Sequence, residues 1–215
     1  MKIGILGSGI VGRVLAAAFV NEGHQVGLGT RDPLKEELAK FKGDNPAIKI
    51  GSFEETAAAA DIIVLAVKGD IVIDVINLSG KENFSNKIVI DATNPIANEP
   101  PVNGVLSFFT GPNNSLMEQI QAHVPDSKTV KAFNSVGNAF MYKPDFGGIK
   151  PTMFICGNDE EAKTTVTKIL DAFGWETEDM GMVEAARAIE PLCILWCIPG
   201  ILNNQWTHAF KLLKK

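Results

Sequence analysis

The first twelve residues restrict this chain most. A short apolar run, Ile3 to Leu6, leads straight into Gly7-Ser8-Gly9-Ile10-Val11-Gly12, and small helix-favouring residues follow. This is the G-x-G-x-x-G spacing of a strand–loop–helix unit that cradles a pyrophosphate. Gly7 allows the tight turn, Gly9 lets backbone approach the phosphates, and Gly12 lets the helix pack on the strand. The helix N-terminus adds N–H donors and partial positive charge. A glycine-rich turn without a ligand uses the same residue types. What separates the two readings is context: strand before, helix after.

Strand and helix patterns then alternate along the chain. Strands are expected at Lys2 to Leu6, Gln25 to Gly29, Ile48 to Ile50, Ile62 to Val67, Lys87 to Asp91, Thr129 to Phe133, Met153 to Cys156 and Trp175 to Glu178. Ile62 to Val67 is apolar on both faces, as a central parallel strand should be. Helices are expected from Ile10 to Asn21, from Pro33 to Phe41, after the capping box Ser52-Phe53-Glu54-Glu55, from Leu116 to His123, and from Glu160 to Phe173. From Val183 the pattern is helical, with a break expected near Pro199. Strands spaced by helical segments predict an α/β fold with a doubly wound parallel sheet, whose strand C-termini line one ligand-binding edge.

The bulk of the chain narrows the class further. Its 215 residues suffice for one α/β core, and a net charge of −5 argues against a general nucleic-acid partner. The glycine-interrupted start does not read as a secretion signal, and Pro191 to Leu202 is too short to span a bilayer. Cys156, Cys193 and Cys197 form no paired framework, so a reducing cytoplasmic setting without a membrane partner is expected.

The end of the second strand selects the cofactor. An NAD site places Asp or Glu there for the ribose 2′-OH. Here the residues are Gly29-Thr30-Arg31-Asp32. Thr30 offers a hydroxyl, Arg31 a fork matched to a phosphate, and Lys35, one helical turn on, a second charge. Asp32 before Pro33 is explained as a helix N-cap. NADP is therefore expected over NAD.

Further segments occur in a recognisable order: "GTRDPLKEEL", "VLAVKGD", "DATNP", "VKAFNSVGNAFM" and "MFICGNDEEAK". Over nearly its whole length, including a closing "AFKLL" helix, the chain resembles the short NADP-dependent oxidoreductases of the coenzyme F420 (deazaflavin) reductase type. "VKAFN" is also similar to the reductase domain of six-transmembrane metalloreductases. The resemblance implies a Rossmann domain, residues 1–148, and a small C-terminal subdomain, residues 149–215. It implies hydride exchange between NADP(H) and a flat tricyclic acceptor such as coenzyme F420 or a flavin. By motif match, Ser8 to Val11, Thr30, Arg31 and Lys35 hold phosphates, and Val67 and Lys68 line the cleft. Asn94 and Pro95 lie near the nicotinamide, and Asn134 to Asn138, including Gly137, form the wall facing the acceptor. Asn134 stands where deazaflavin-dependent relatives often carry histidine, which leaves the acceptor open. The resemblance also implies a homodimer built through the C-terminal region.

No metal site or catalytic side chain is assigned. Hydride transfer needs alignment rather than a nucleophile. His24 reads as a turn residue, His123 as a helix-end cation, and His208 as a last-helix residue facing either a site or solvent. Cys193 and Cys197 share a helix face and read as apolar packing. Trp196 and Trp206 are either core or a subunit-pairing patch. Asp91 is either a general acid or the cap of the next loop. The loop from Asn94 to Asn114, with Phe108-Phe109, is either a lid or a surface excursion. Two other functions share these features. A small carbonyl or imine reductase would need a larger substrate domain than the roughly 65 residues after residue 150 provide. An NADPH-sensing binding protein would look alike in sequence.

Overall fold

The computed structural model describes residues 1–215. Eight strands form one sheet: β1 (Lys2–Leu6), β2 (Gln25–Gly29), β3 (Lys49–Gly51), β4 (Ile62–Leu65), β5 (Ile88–Asp91), β6 (Lys128–Lys131), β7 (Thr152–Gly157) and β8 (Glu176–Asp179). Their spatial order is β3-β2-β1-β4-β5-β6-β7-β8. Every neighbouring pair is parallel except β6 with β7, an antiparallel joint that the expected all-parallel sheet lacks. The helices are α1 (Ile10–Asn21), α2 (Glu36–Asp44), α3 (Phe53–Ala59), α4 (Val72–Leu78), α5 (Leu116–His123), α6 (Glu160–Ala172), α7 (Ala186–Ile189) and α8 (Pro191–Asn203).

The period of two along the strands sorts the core into two layers. Ile62 and Val64 of β4 join Leu15 and Phe19 of α1 and Val166 and Leu170 of α6 on one face. Ile63 and Leu65 point the other way, onto Ala57 of α3, Val72 and Ile76 of α4, and Leu116 and Ile120 of α5. The first cluster draws on residues from Ile3 to Trp175. Across the expected division between residues 148 and 149, sheet and core are therefore continuous.

Two helix starts follow local chemistry. Ser52 and Glu55 cap α3 reciprocally, and Ser115 and Glu118 do the same for α5. The start of α2 departs from expectation. Asp32 is not its N-cap; Oδ1 of Asp32 accepts from the Leu34 N–H at 3.0 Å, which closes an Asx turn, and the helix begins after Lys35. Nor does α8 break at Pro199. It runs on to Asn203 and closes at Asn204 in the left-handed conformation. The closing "AFKLL" segment is not helical. The N–H of Thr152 donates to the Phe210 carbonyl at 2.8 Å, and Lys211 and Lys214 pair with Glu176 and Glu178 of β8. These contacts lay the tail along the sheet edge. His208 therefore sits outside any helix, its ring stacked on Trp196 at 5.0 Å.

One buried ionic cluster binds these layers together. The Lys131 ammonium, wholly buried at the end of β6, reaches Asp91 Oδ2 at 2.7 Å, Glu190 Oε1 at 2.9 Å and the Thr93 carbonyl at 2.9 Å. Glu190, just before α8, also accepts the N–H groups of Leu116 and Met117 at 3.0 Å each, at the N-terminus of α5. That helix end, positive by its dipole, balances the second carboxylate. Asp91 Oδ1 accepts from the Thr93 N–H and hydroxyl, so Asp91 caps the loop rather than standing free as an acid. Burial pushes the Lys131 ammonium down, but Asp91 and Glu190 outweigh it and hold it above its ordinary 10.5. The helical run Val183–Asn203, 21 residues containing an 18-residue window of mean hydropathy 1.5, is long and apolar enough to cross a membrane, longer than the 191–202 stretch suggested. Within the fold, Glu190 anchors it to Lys131, and Ile189, Cys193 and Trp196 are buried.

Lys131→Met should cost about 3–5 kcal/mol in urea unfolding, because it leaves two carboxylates buried without their cation. A loss below about 1 kcal/mol would show that water relieves them. The stabilisation from the raised Lys131 is complete below pH 10.5 and is lost only as pH climbs past the higher folded-state value. The wild-type pH profile should accordingly stay flat near neutrality on its account.

Candidate functional site at the strand C-termini

β1, β4, β5 and β6 run parallel, so the residues following Leu6, Leu65, Asp91 and Lys131 gather along one edge. Strand order reverses between β1 and β4, which opens a crevice there. Gly7 adopts φ +128°, and a Cβ on it would lie 2.3 Å from the Ala66 carbonyl oxygen. A Cβ on Gly12 would lie 1.8 Å from the Gly7 oxygen. Both glycines are required by close packing of backbone. Gly9 is different: nothing lies within 4 Å of its Cβ position, so the backbone at the head of α1 faces open space. Ile10 is exposed and Val11 packs against the core behind it.

At the tip of β2 the Ser8 hydroxyl donates to Thr30 Oγ1 at 3.0 Å, joining the glycine loop to the second strand. Thr30 is buried, while Arg31 and Lys35 are exposed beyond it. Asp32 turns its carboxylate into its own loop, toward Leu34, so it does not line the tip as an NAD-type carboxylate would.

On the other side of the crevice Val67 and Lys68 follow β4, half-buried and exposed respectively. Gly69 lets that turn meet the next one: a Cβ there would lie 2.1 Å from the Asn94 oxygen. Asn94 Nδ2 donates to the Asn134 carbonyl at 2.8 Å, and Asn134 Nδ2 donates to the Ile189 carbonyl at 2.9 Å. Asn134 Oδ1 is buried with no partner. Just before it, Phe133 holds φ +65°, a strained conformation for an aromatic residue. Its side chain is locked between Phe173 and the core. The strain fixes where the chain turns from β6 into the Asn134–Asn138 wall. Pro95 accepts from the Phe109 N–H at 2.9 Å, and Ile96 bridges Phe108, so the loop folds back on itself with Phe108 half-buried beside Arg187, Glu190 and Pro191. Gly137 abuts Trp196 of α8, where a Cβ would meet the indole at 2.7 Å.

Gly7–Gly12, Val67, Lys68, Asn94, Pro95, Asn134 and Gly137 thus converge on one edge, with Thr30, Arg31 and Lys35 at its β2 end. Gly69 and Phe133 were missed by sequence reasoning; Gly69 could have been found from its place two residues beyond a strand-ending turn. A cavity of about 660 Å³ lies elsewhere, lined by Lys2, His24, Lys49 and Glu55 near the strand N-termini. The edge outranks it as the site, because the glycine loop and the reversal of strand order are there.

A family model described as "NADP oxidoreductase coenzyme F420-dependent" matches residues 2–95. A solved structure of an F420-dependent NADP-reductase candidate from Arthrobacter sp. FB24 superposes at TM-score 0.92, with 30% identity and full coverage of both chains. The chain belongs to this family. The F420-dependent NADP reductase of Methanocaldococcus jannaschii is 28% identical over 89% of each chain. Rat metalloreductase STEAP3 is 31% identical over 94% of this chain, which spans 39% of that protein's length.

Membership makes this family member an oxidoreductase with NADP as its cofactor. The chain's own residues fit that dinucleotide: an open backbone at Gly9, and a hydroxyl and two cations after β2, with one Asp32 carboxylate oxygen engaged in its own turn. Two of the histidines lie apart from this edge, while His208 stacks on Trp196 behind Gly137. His24 precedes β2 at its far end, and His123 bonds Asn77 at the end of α5. Burial pushes the Cys156 thiol up to about 12, and Cys193 is buried, which fits packing rather than chemistry.

The glycines separate binding from stability. Gly9→Ala should keep the thermal midpoint within about 2 °C and weaken NADPH binding by about ten-fold, read by fluorescence titration. Gly12→Ala should lower the midpoint by several degrees, since its methyl group collides with backbone. Equal stability losses in both variants would contradict this division.

Proposed function

We propose that this protein transfers hydride between NADP(H) and a planar soluble acceptor, a deazaflavin such as coenzyme F420 or a flavin, at the β4–β6 end of the edge. The observation that carries the reading is the pairing of Asn94 and Asn134 at the start of the Phe108 loop, beside the crevice at whose other end Gly9 and Thr30 face. NADPH, when bound, supplies a hydride from its nicotinamide ring. The glycine loop and the head of α1 hold the pyrophosphate; Thr30, Arg31 and Lys35 hold the adenosine phosphate. Val67, Lys68, Asn94 and Pro95 set the plane of the ring, and the wall from Asn134 through Gly137 to Asn138 faces the acceptor. Phe108 shields that end from water and stacks on a flat ring. No side-chain acid or base is needed, because reactivity depends on alignment of two rings.

The metalloreductase relatives favour a second, terminal acceptor class, metal chelates, reached through a flavin that takes the hydride at this edge and passes its two electrons on singly. We infer a cytoplasmic homodimer as the working form. Exposed Leu195 and Leu202 of α8, with Trp206 beyond it, supply an apolar face for subunit pairing.

Mixing the protein with NADPH and a panel of coenzyme F420, FMN, quinones and ferric chelates should bleach the nicotinamide absorbance with one of the first two. Tight NADPH binding without oxidation by any of them would make this a sensor rather than an enzyme. Phe108→Ala should raise the acceptor KM about ten-fold with little change in NADPH affinity. An unchanged acceptor KM would remove Phe108 from the site.

A further inference from the structure

The segment after β2 cannot form a positive pocket alone. Residues 31–37 hold two cations, Arg31 and Lys35, against three carboxylates, Asp32, Glu36 and Glu37. A 2′-phosphate brings about −1.5 to −2 further charge. A third cation reaches the same place from α1. Arg13 Nε donates to the Ser8 carbonyl at 2.8 Å, and Nη2 meets Glu37 of α2 at 3.3 Å. Nη1 has no hydrogen-bond partner. Ser8 in turn touches Thr30 at 3.0 Å, so the guanidinium spans from the glycine loop to the first turn of α2. The Arg13 side chain is 31% exposed and Glu37 76%, so one partner is fixed and the other faces water.

We propose that Arg13 is a specificity-determining residue that receives the 2′-phosphate of NADP, with Glu37 as the counter-ion it exchanges for that phosphate. This rests on the NADP site proposed above. Nε stays on the Ser8 carbonyl and keeps that oxygen turned from the incoming anion. The two Nη groups are left to face the phosphate, in the forked geometry that arginine offers and lysine does not. Glu37 holds the fork in place while the site is open and competes with the phosphate when it fills. The carboxylate therefore lowers affinity for NADP while leaving NAD unaffected.

The test measures dissociation constants of the intact protein for NADPH, NADH and 2′,5′-ADP. Arg13→Ala should reduce the preference for NADPH over NADH by at least about ten-fold and weaken 2′,5′-ADP in parallel. Arg13→Lys should recover only part of that preference. Glu37→Gln should tighten NADPH and 2′,5′-ADP by about two- to five-fold and leave NADH unchanged. If Arg13→Ala weakens NADPH and NADH by the same factor, Arg13 only positions the glycine loop, and the proposal is overturned. Arg31→Ala separates this from the reading beneath it. A preference lost in Arg31→Ala but kept in Arg13→Ala sinks the Arg13 assignment alone. A preference kept in both moves the adenosine phosphate away from the β2 tip altogether.

Discussion

A lysine without water organises this molecule. Lys131 closes β6, Asp91 closes β5, and Glu190 opens α8, and their charges meet in one dry cluster with the N-terminus of α5. Buried ion pairs add little net stability compared with apolar packing, but they tolerate no error in geometry. That intolerance is useful here. The strand ends bearing Asn94 and Asn134, and the helical run that backs them, are set by charge that has nowhere else to go. The crevice inherits its shape from the cluster, although no member of the cluster need touch a ligand.

At the opposite end of the crevice the constraint is steric rather than ionic. Gly7 and Gly12 bring the loop, β4 and α1 to backbone contact, and the bond between Ser8 and Thr30 fastens the loop to β2. In the function proposed above, a rigid adenosine-phosphate end and a nicotinamide end set by buried charge divide the work of holding one extended cofactor. Preorganisation at both ends reduces the ordering cost of binding. In that proposal the acceptor side, next to the loop from Asn94 to Asn114, is left as the adjustable part.

Local signals in the sequence read correctly wherever chemistry and structure lay within a few residues of each other. α1, α5, β1 and β2 fall where apolar periodicity and stop residues put them, and the capping box at Ser52 forms. The glycine loop was legible for the same reason, whereas the antiparallel joint of β6 with β7 was not. Failures mark competition between local partners or dependence on distant ones. Asp32 had two nearby uses for its carboxylate, and the turn won over the helix cap. The "AFKLL" tail has helical composition, but Thr152 and the carboxylates of β8 offered it a sheet edge. Arg13 and Glu37 are 24 positions apart, and Asn134 and Ile189 are 55 apart, so no spacing rule could join them. Positive φ at Phe133 has no sequence signature at all, because aromatic residues avoid it unless tertiary packing insists.

Two glycines, far apart in sequence, lean on the same helix. Gly137 in the acceptor-facing wall lies against Trp196, and Gly104 in the loop above it lies against Leu202, both on α8. The loop and the wall assigned above to the proposed acceptor side therefore share one strut, whose base is clamped by Glu190. A shift of that strut along its axis would move both surfaces at once, widening or narrowing the opening as a single aperture. Substrate size and helix position then become one variable, adjustable from the outer face of α8 without altering any residue in the crevice.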